Sequence, residues 1–502
     1  MISALAWVRK GVAAARPTRT EMTEEEYTRM QEEAAGELEE AKKELKERQA
    51  LDDEIRNDPA LKDFDLENYD SDGSAADGEE EQGGHIFSNV KGLSFYGADE
   101  EDPDLAKQVE DDEESDGDEI LETDSMLLVA KTEDGISNIE VCVFEAEEDN
   151  LFVHHDFMLP AFPLAVEWLD YHVAPRRRQE SGSGNYVAVA TFEPRIEIWD
   201  LDAAEATFPD LVLGASDKRA LRKARGKPND EFHTDAVMGL AWNRHVRNLL
   251  ASSSADTTVK LWDLGTGKCA QSYTHHSGKV QAVQWHPHEA SVMLTGAYDR
   301  RVAALDSRAP TAISWWDVDA DVESLLWDAH AQHHFYVATE SGTVRYFDAR
   351  SPGASIFTLV AHDEAVSAMD QHPSVAGILV TGSADETVKV WDVRAAKPSM
   401  VLSRNLDVGS VFAAKFCPDE PMLLAIGGSS GESKIWDLST NAHMRSTYGD
   451  AQTQAAVVRE KPVMGVQRDD DDNDDSRAAV ISELRGGTKD PDSDQEMGSG
   501  SD

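Results

Sequence analysis

Cysteine, long apolar runs and positive charge are scarce in this chain of 502 residues, and each scarcity excludes a class of protein. The three cysteines, Cys142, Cys269 and Cys417, form no Cys-x-x-Cys pair, so a disulfide framework or a cysteine metal site is unsupported and a reducing compartment fits. No apolar run approaches the roughly 18 residues of a membrane-spanning helix, so we expect no membrane partner. Gly-rich phosphate loops, metal-ligand clusters and unrepeated nucleophile–base pairs are also missing, so we expect neither a cofactor nor enzymatic activity.

Negative charge is abundant and unevenly distributed. The chain has 47 Lys and Arg against 97 Asp and Glu, a net charge of −50; residues 124–450 hold 28 of the basic and 46 of the acidic residues. Dense blocks of like charge cannot bury enough apolar surface to offset chain entropy, so we predict a largely disordered acidic insertion at 17–122 and a disordered acidic tail at 451–502. A polyanion does not bind nucleic acid through its bulk charge, so basic proteins such as ribosomal proteins or histones are the expected partners.

A two-residue pattern, an aromatic or large apolar residue followed by an acid, recurs seven times. The last five copies lie 42 to 45 residues apart. A period of about 40–45 residues that ends in Trp-Asp is typical of β-propeller blades. We therefore predict an all-β, seven-bladed propeller over residues 123–450. The seven dyads are Phe144-Glu145, Trp199-Asp200, Trp262-Asp263, Leu305-Asp306, Phe347-Asp348, Trp391-Asp392 and Trp436-Asp437.

Three of the repeats share a His, a Ser or Thr, an Asp and, in two of them, a Trp at constant spacing. A buried imidazole needs partners for its nitrogens, and a strand hydroxyl with an Asp in the adjoining turn can supply them. The same residue types form nucleophilic triads, but a catalytic set is not repeated in every blade, so we predict that these residues hold the blades together. The sets are His233, Ser252, Asp256 and Trp262; His276, Thr295 and Asp299, followed by Leu305; and His362, Thr381, Asp385 and Trp391.

The first blade lacks one strand in the region where it is expected. Residues 124–155 supply only three strand patterns, whereas Ser3–Lys10 closely matches Met238–His245 of a later repeat. We therefore predict that residues 2–9, within a segment 1–16, form the inner strand of blade one. An alternative stays open, because residues 1–20 hold four basic and no acidic residues, which is typical of an organelle presequence.

The predicted insertion contains three further signals. A possible capping box at Thr23–Glu26 predicts a helix near 23–56. The apolar island His85–Tyr96 between two acidic runs is either incidental or a segment that docks on the propeller or on a partner, and we favour docking. Candidate phosphorylation sites, each with an acid three residues on, are Ser74, Ser115 and, in the tail, Ser493.

A basic loop at 215–229 explains the longest interval between two dyads. Such a run predicts a nuclear-import signal or a contact with pre-ribosomal RNA. The alternative is a solvated loop that pairs with the acidic segments of the same chain. Its cations are Lys218, Arg219, Arg222, Lys223, Arg225 and Lys227.

Several strings beyond the dyads resemble one family of WD-repeat proteins. The most specific are His154-His155-Asp156 and Thr234-Asp235-Ala236-Val237, which accompany the N-terminal Ala6-Trp7-Val8 strand. The resemblance implies a scaffold of the nucleus and nucleolus that acts in ribosome biogenesis, through processing of ribosomal RNA or through transcription and chromatin association. We also expect a monomer within a larger complex.

One short motif favours a different function. Trp391-Asp392-Val393-Arg394 resembles the Trp-Asp-x-Arg box of propellers that serve as substrate receptors of cullin-RING ubiquitin ligases. That resemblance implies an adaptor contact through Asp392 and Arg394. A ligase receptor is therefore the alternative function.

Overall fold

The computed structural model describes residues 1–19, 119–145, 150–173, 183–204, 206–215, 220–221, 224, 229–395, 397–442 and 444–445. Besides the 3-10 helix Leu438–Thr440, the elements of these residues are strands. In chain order they are β1 (Ile2–Val8), β2 (Thr18–Arg19), β3 (Ser125–Glu133), β4 (Ile136–Glu145), β5 (Asn150–Leu159), β6 (Pro163–Leu169), β7 (Tyr186–Thr191), β8 (Ile196–Asp200), β9 (Ala203–Ala204), β10 (Leu211–Leu213), β11 (Val237–Trp242), β12 (Leu249–Ser254), β13 (Val259–Asp263), β14 (Lys268–Tyr273), β15 (Val280–Trp285), β16 (Val292–Ala297), β17 (Arg301–Asp306), β18 (Ala309–Asp317), β19 (Val322–Trp327), β20 (His334–Thr339), β21 (Thr343–Asp348), β22 (Phe357–Val360), β23 (Val366–Gln371), β24 (Ile378–Ser383), β25 (Thr387–Asp392), β26 (Ser399–Asn405), β27 (Val411–Phe416), β28 (Leu423–Gly428) and β29 (Ser433–Asp437).

Apart from the short parallel pair β2–β9, the strands form seven antiparallel sheets, which confirms the predicted seven-bladed propeller. Each sheet is a meander in which sequence neighbours pair, and within the described residues the last one has three strands. From the inner to the outer strand, the blades are blade 1 (β1, β3, β4, β5), blade 2 (β6, β7, β8, β10), blade 3 (β11–β14), blade 4 (β15–β18), blade 5 (β19–β22), blade 6 (β23–β26) and blade 7 (β27–β29).

The second strand of a blade is its most apolar part. In β7, β24 and β28 every residue is buried, because a neighbouring blade covers each face of the sheet. The outer strand β26 is mostly exposed or half-buried. Large side chains fill the space between blades: Phe157 of blade 1 packs on Trp199 of blade 2 with ring centroids 5.5 Å apart, and Trp316 of blade 4 packs on Phe335 of blade 5 at 5.0 Å.

The N-terminal segment closes the ring. Strand β1 pairs with β3 as the inner strand of blade 1 and contacts the inner strands of blades 2 and 7. Trp7 donates its indole N–H to the carbonyl of Lys415 at 3.0 Å, and the backbone N–H of Lys10 bonds to Asp419 at 2.9 Å. A Cβ on Gly427 would lie 2.5 Å from Ile2 Cγ2, so only glycine allows this close approach of blade 7 to β1.

The meander gives the ring two distinct faces. We define the upper face by the loops that lead from one blade to the next and by the turns between second and third strands. The lower face carries the remaining loops, between first and second and between third and fourth strands. Short turns on the upper face require positive φ angles, as at Asp134 (50°) and Gly135 (84°) between β3 and β4, an Asp-Gly pair suited to a two-residue hairpin.

Residues 17–19 and 119–122, at the two ends of the predicted insertion, belong to the folded part of the protein, so the prediction of disorder is wrong for these residues. Thr18 and Arg19 form β2, which pairs in parallel with β9 of the blade 2 loop. Ile120 is buried, and its N–H bonds to the carbonyl of Ala15 at 2.9 Å. Both attachments lie on the lower face. The predicted helix near 23–56, the island His85–Tyr96 and the tail 451–502 lie outside the described residues.

No helix among the described residues is long and apolar enough to cross a membrane.

Candidate functional sites

The structure brings each predicted His–hydroxyl–Asp set together inside its own blade. In blade 3, His233 Nδ1 lies 3.0 Å from Asp256 Oδ2 and its Nε2 lies 2.7 Å from Ser252 Oγ. The indole N–H of Trp262 donates to the same hydroxyl at 2.8 Å. Because the indole can only donate, Ser252 accepts from Trp262 and donates to Nε2, and the neutral imidazole donates Nδ1–H to the carboxylate.

Blade 6 repeats this geometry, and blade 4 varies it. His362 contacts Asp385 at 2.9 Å and Thr381 at 2.7 Å, and Trp391 donates to Thr381 at 2.9 Å. In blade 4 the contacts of His276 are 3.0 Å to Asp299 and 2.9 Å to Thr295. Leu305 offers no N–H there, and His275 Nε2 lies 2.9 Å from the Thr295 hydroxyl in its place.

Burial fixes the protonation of these sets. It lowers the pKa of His233, His276 and His362, although the neighbouring carboxylates partly offset the shift. Burial opposes ionisation of Asp256, but the hydrogen bonds from His233 and Thr258 outweigh it and its pKa lies below the ordinary value. Ser252 has no exposed surface, and its hydroxyl is already engaged by an imidazole and an indole. The arrangement therefore joins a blade's upper loops to its strands and offers no nucleophile to a substrate.

A second periodic contact was missed in the sequence analysis. Two residues before the apolar member of the dyad, blades 3, 6 and 7 carry a lysine whose ammonium bonds to a backbone carbonyl in the loop that enters the same blade. The contacts are Lys260 to Asn229 at 2.5 Å, Lys389 to Ala361 at 2.8 Å and Lys434 to Leu406 at 2.7 Å. Blade 5 has Arg345 at this position, paired with Asp319 at 2.6 Å. We call these four contacts cation clasps. The signal available in the sequence was a lysine two residues before Trp in three of the repeats.

The central channel is lined by polar side chains that connect neighbouring inner strands. Glu167 accepts from the N–H of Trp242 at 3.3 Å, and Asp370 accepts from that of Phe416 at 2.8 Å. Burial raises the pKa of both carboxyls, and Arg244 and Lys415 offset part of the rise for each. These two hydrogen bonds therefore join blade 2 to blade 3 and blade 6 to blade 7 at their inner strands.

The candidate ligase residues form a turn that recurs in two other blades. The Arg394 guanidinium bonds to Asp392 with Nη2–Oδ2 at 2.6 Å. The same pairing joins Arg308 to Asp306 and Arg350 to Asp348, each at 2.8 Å. These arginines are exposed on the lower face, and each one closes its own turn. The pairing within the turn therefore explains why an arginine occurs at this position without any contact to a ligase adaptor.

The two faces differ in charge. Exposed acids dominate the described loops of the upper face, namely Glu133, Asp134, Asp230, Glu231, Asp235, Asp317, Asp319, Glu340, Asp363, Glu364, Glu386, Asp407 and Glu432. Exposed cations dominate those of the lower face, namely Arg9, Arg16, Arg244, Lys268, Arg308, Arg350, Arg394, Lys397, Lys415 and Arg445. The upper face can therefore attract a basic partner, and the lower face an acidic segment.

Several predicted sites lie outside the described residues. They are the six cations of the basic loop, Lys218, Arg219, Arg222, Lys223, Arg225 and Lys227, and the candidate phosphorylation sites Ser74, Ser115 and Ser493. Among the described residues, no group of three or more His, Cys, Asp or Glu side chains is placed to hold a metal ion.

Comparisons with known proteins extend the similarity over most of the chain. A family model described as "WD domain, G-beta repeat" matches residues 353–392, and one described as "Anaphase-promoting complex subunit 4 WD40 domain" matches residues 216–288. An uncharacterized WD repeat-containing protein of Schizosaccharomyces pombe is 40% identical over 94% of this chain and 96% of its own length. Periodic tryptophan protein 1 of Saccharomyces cerevisiae is 35% identical over 89% of this chain and 90% of its own. The periodic tryptophan protein 1 homolog of Drosophila melanogaster is 31% identical over 89% and 96%, respectively.

Proposed function

Because this chain belongs to the periodic tryptophan protein 1 family of WD-repeat proteins, we propose that it is a non-enzymatic scaffold in ribosome biogenesis. It acts in the nucleus and nucleolus, in processing of ribosomal RNA or in transcription and chromatin association. The observation that carries this proposal is the extent of the similarity, which covers 89% or more of the chain and 90% or more of these relatives. A match that long includes more than the blades that many unrelated propellers share.

Charge is the proposed means of binding. The acidic segments and the acidic upper face hold basic ribosomal proteins or histones, and the basic loop contacts pre-ribosomal RNA. Contacts of this kind are screened by salt, with a Debye length of about 10 Å at 0.1 M ionic strength, so binding weakens as salt rises. The protein acts as a monomer within the larger complex.

Affinity purification of the full chain at two salt concentrations, with identification of bound proteins and RNA, tests the proposal. We expect pre-ribosomal particles at low salt and loss of basic partners at high salt. Recovery of no pre-ribosomal component at either concentration would overturn the assignment to ribosome biogenesis.

The charge mechanism has its own control. Deletion of residues 60–118, which spares the buried Ile120, should weaken binding of a basic partner. A variant that keeps this length but has every Asp and Glu of the segment changed to Asn or Gln should weaken it equally. If affinity survives both changes, the acidic segment is not the binding element.

A further inference from the structure

Blade 2 inverts the charge of the cation clasp. The residue that corresponds to Lys260, Lys389 and Lys434 is Glu197, two positions before Trp199. The strand registers agree, since Glu197 pairs with Val189 of the second strand as Lys389 pairs with Thr381. Because side chains alternate along a strand, Glu197 points to the same side as Trp199, toward blade 1. Blade 2 therefore has a carboxylate where four other blades have a cation.

This carboxylate is buried without a full set of partners. Glu197 is 8% exposed, and its Oε2 has no hydrogen-bond partner among the described residues. Burial raises its pKa, and the nearby charge of Arg195 and the Trp199 indole offset only part of the rise. Arg195 itself is engaged by Glu193, with Nη2 2.5 Å and Nε 3.1 Å from Oε2 of that residue. Within the described part of the chain, no lysine or arginine side chain thus bonds to Glu197.

A pair of phenyl rings, half-buried Phe162 and exposed Phe192, lies at the upper end of the same blade. Phe162 is in the loop that enters blade 2, and Phe192 is in the turn that precedes the strand of Glu197. The two rings lie 5.4 Å apart, and a backbone hydrogen bond of 3.0 Å from Phe192 N to Phe162 O joins the loop to the turn. Phe192 is 59% exposed, so its ring is accessible to a side chain from outside the protein.

We infer that the upper end of blade 2 binds a single cationic side chain, a lysine ammonium or an arginine guanidinium, that a partner protein inserts beside Glu197. The partner's charge takes the place of the missing clasp cation and satisfies the orphaned carboxylate oxygen. Its aliphatic stem and charge contact the faces of Phe162 and Phe192, because apolar stems and cations both favour aromatic rings. A cation that pairs with the buried carboxylate offsets the free-energy cost of burying that charge alone. The site gives the proposed scaffold a specific contact with a partner protein. The inference does not depend on the assembly in which the protein acts.

The test uses the full chain and a short peptide that has one lysine in a Gly/Ser background, with norleucine in place of lysine as the matched peptide. Calorimetric titration should show binding of the lysine peptide only. Glu197→Gln, which keeps the side-chain shape, should lower the association constant about tenfold, as expected for a charge-assisted contact. Phe192→Ser should lower it about threefold. Glu289→Gln removes an exposed acid from the lower face of blade 4, away from the proposed site, and should change binding less than about twofold.

A variant that gains a cation clasp distinguishes loss of the binding site from loss of the fold. Glu197→Lys should restore a cation clasp to blade 2, so it should raise the midpoint of thermal unfolding and abolish peptide binding. Equal binding of the norleucine peptide, unchanged binding by Glu197→Gln, or equal losses from Glu197→Gln and Glu289→Gln would each overturn the inference. None of these results bears on recovery of pre-ribosomal particles, so failure of the site and failure of the proposed function are distinguishable.

Discussion

Blades 2 and 6 share one backbone plan but differ in nearly every polar contact. Blade 6 has His362, Thr381, Asp385 and Trp391 in one hydrogen-bonded set, with Lys389 in its clasp. At the corresponding positions of strand and turn, blade 2 has Leu159, Val189, Glu193, Trp199 and Glu197.

The difference shows that the strands of a blade and its polar side-chain contacts can vary independently. Both second strands are buried along their whole length, so apolar packing between neighbouring sheets is enough to build a blade. The polar set is an addition that locks the upper loops of blade 6. Where blade 2 lacks it, a buried carboxylate and an exposed phenyl ring become available for binding.

Replacing the clasp lysine of blade 6 with glutamate, the residue type found in blade 2, should have the largest effect on stability. Lys389→Glu puts a second carboxylate near Asp385, whose Oδ2 lies 4.0 Å from the lysine nitrogen. We expect a loss of about 3 kcal/mol of unfolding free energy, because a partly buried charge loses its partner and gains a repulsive neighbour. Urea denaturation measures it, with Lys389→Met as the control that removes the charge and should cost about 1 kcal/mol. Similar losses for both variants would show that repulsion is unimportant.

Thr381→Val gives blade 6 the residue of blade 2 on its second strand. The change keeps the side-chain volume but leaves the Trp391 N–H and His362 Nε2 without their common partner. We expect a loss of about 2 kcal/mol in the same assay. The reverse change in blade 2, Val189→Thr, should alter stability by less than about 1 kcal/mol, and a larger cost there than in blade 6 would contradict the comparison.

Acid should weaken the blades that contain the His sets more than blade 2. Burial lowers the pKa of His275 to about 4, and it lowers that of His233, His276 and His362 as well. The unfolded chain therefore takes up more protons than the folded chain once the pH falls below the ordinary histidine value of about 6.5. Stability is fully present above that pH and should decline toward about pH 4.

Urea midpoints at pH 7.5, 6 and 5 measure this decline. The lowered pKa of Asp385 extends the loss to still lower pH, since that carboxylate must also be protonated. His362→Gln should flatten part of the profile, because it removes one of the buried imidazoles whose pKa is lowered. If the urea midpoint of the wild-type protein does not change between pH 7.5 and 5, the imidazoles are not held neutral and buried in the folded state.

The smallest effect is expected at the turn that resembles a ligase-adaptor contact. Arg394→Ala removes an exposed pairing with Asp392 and should cost less than about 0.5 kcal/mol. Co-purification separates the two functions: a ligase adaptor recovered with the wild-type chain and lost with Arg394→Ala would favour the receptor alternative. Arg350→Ala, the same turn in blade 5, is the matched control.

The repeat pattern was sufficient to predict the ring. Large residues such as Trp262 and Trp391 must be buried, and their spacing leaves room for one four-stranded sheet each. The match between Ser3–Lys10 and a later inner strand likewise led to β1. Outer strands such as β26 gave little signal, because half of their surface is solvated and their composition is polar.

The sets of His, hydroxyl and Asp were visible in the sequence because they keep constant spacing within one blade. The clasps were not recognised, since the carbonyl partners of Lys260, Lys389 and Lys434 are backbone atoms that no side chain marks. Glu197 could not be singled out either, because an acid in a strand gives no indication that it is buried.

The sequence by itself determined the number of blades, the shared ends of the repeats and the acidic segments, because each depends on a local pattern of residue size and charge. Only the tertiary structure decided which hydroxyl meets which indole, which loop carbonyl accepts each lysine, and how charge divides between the two faces. Those outcomes depend on strand register and on contacts between blades, which bring together atoms that lie far apart along the chain.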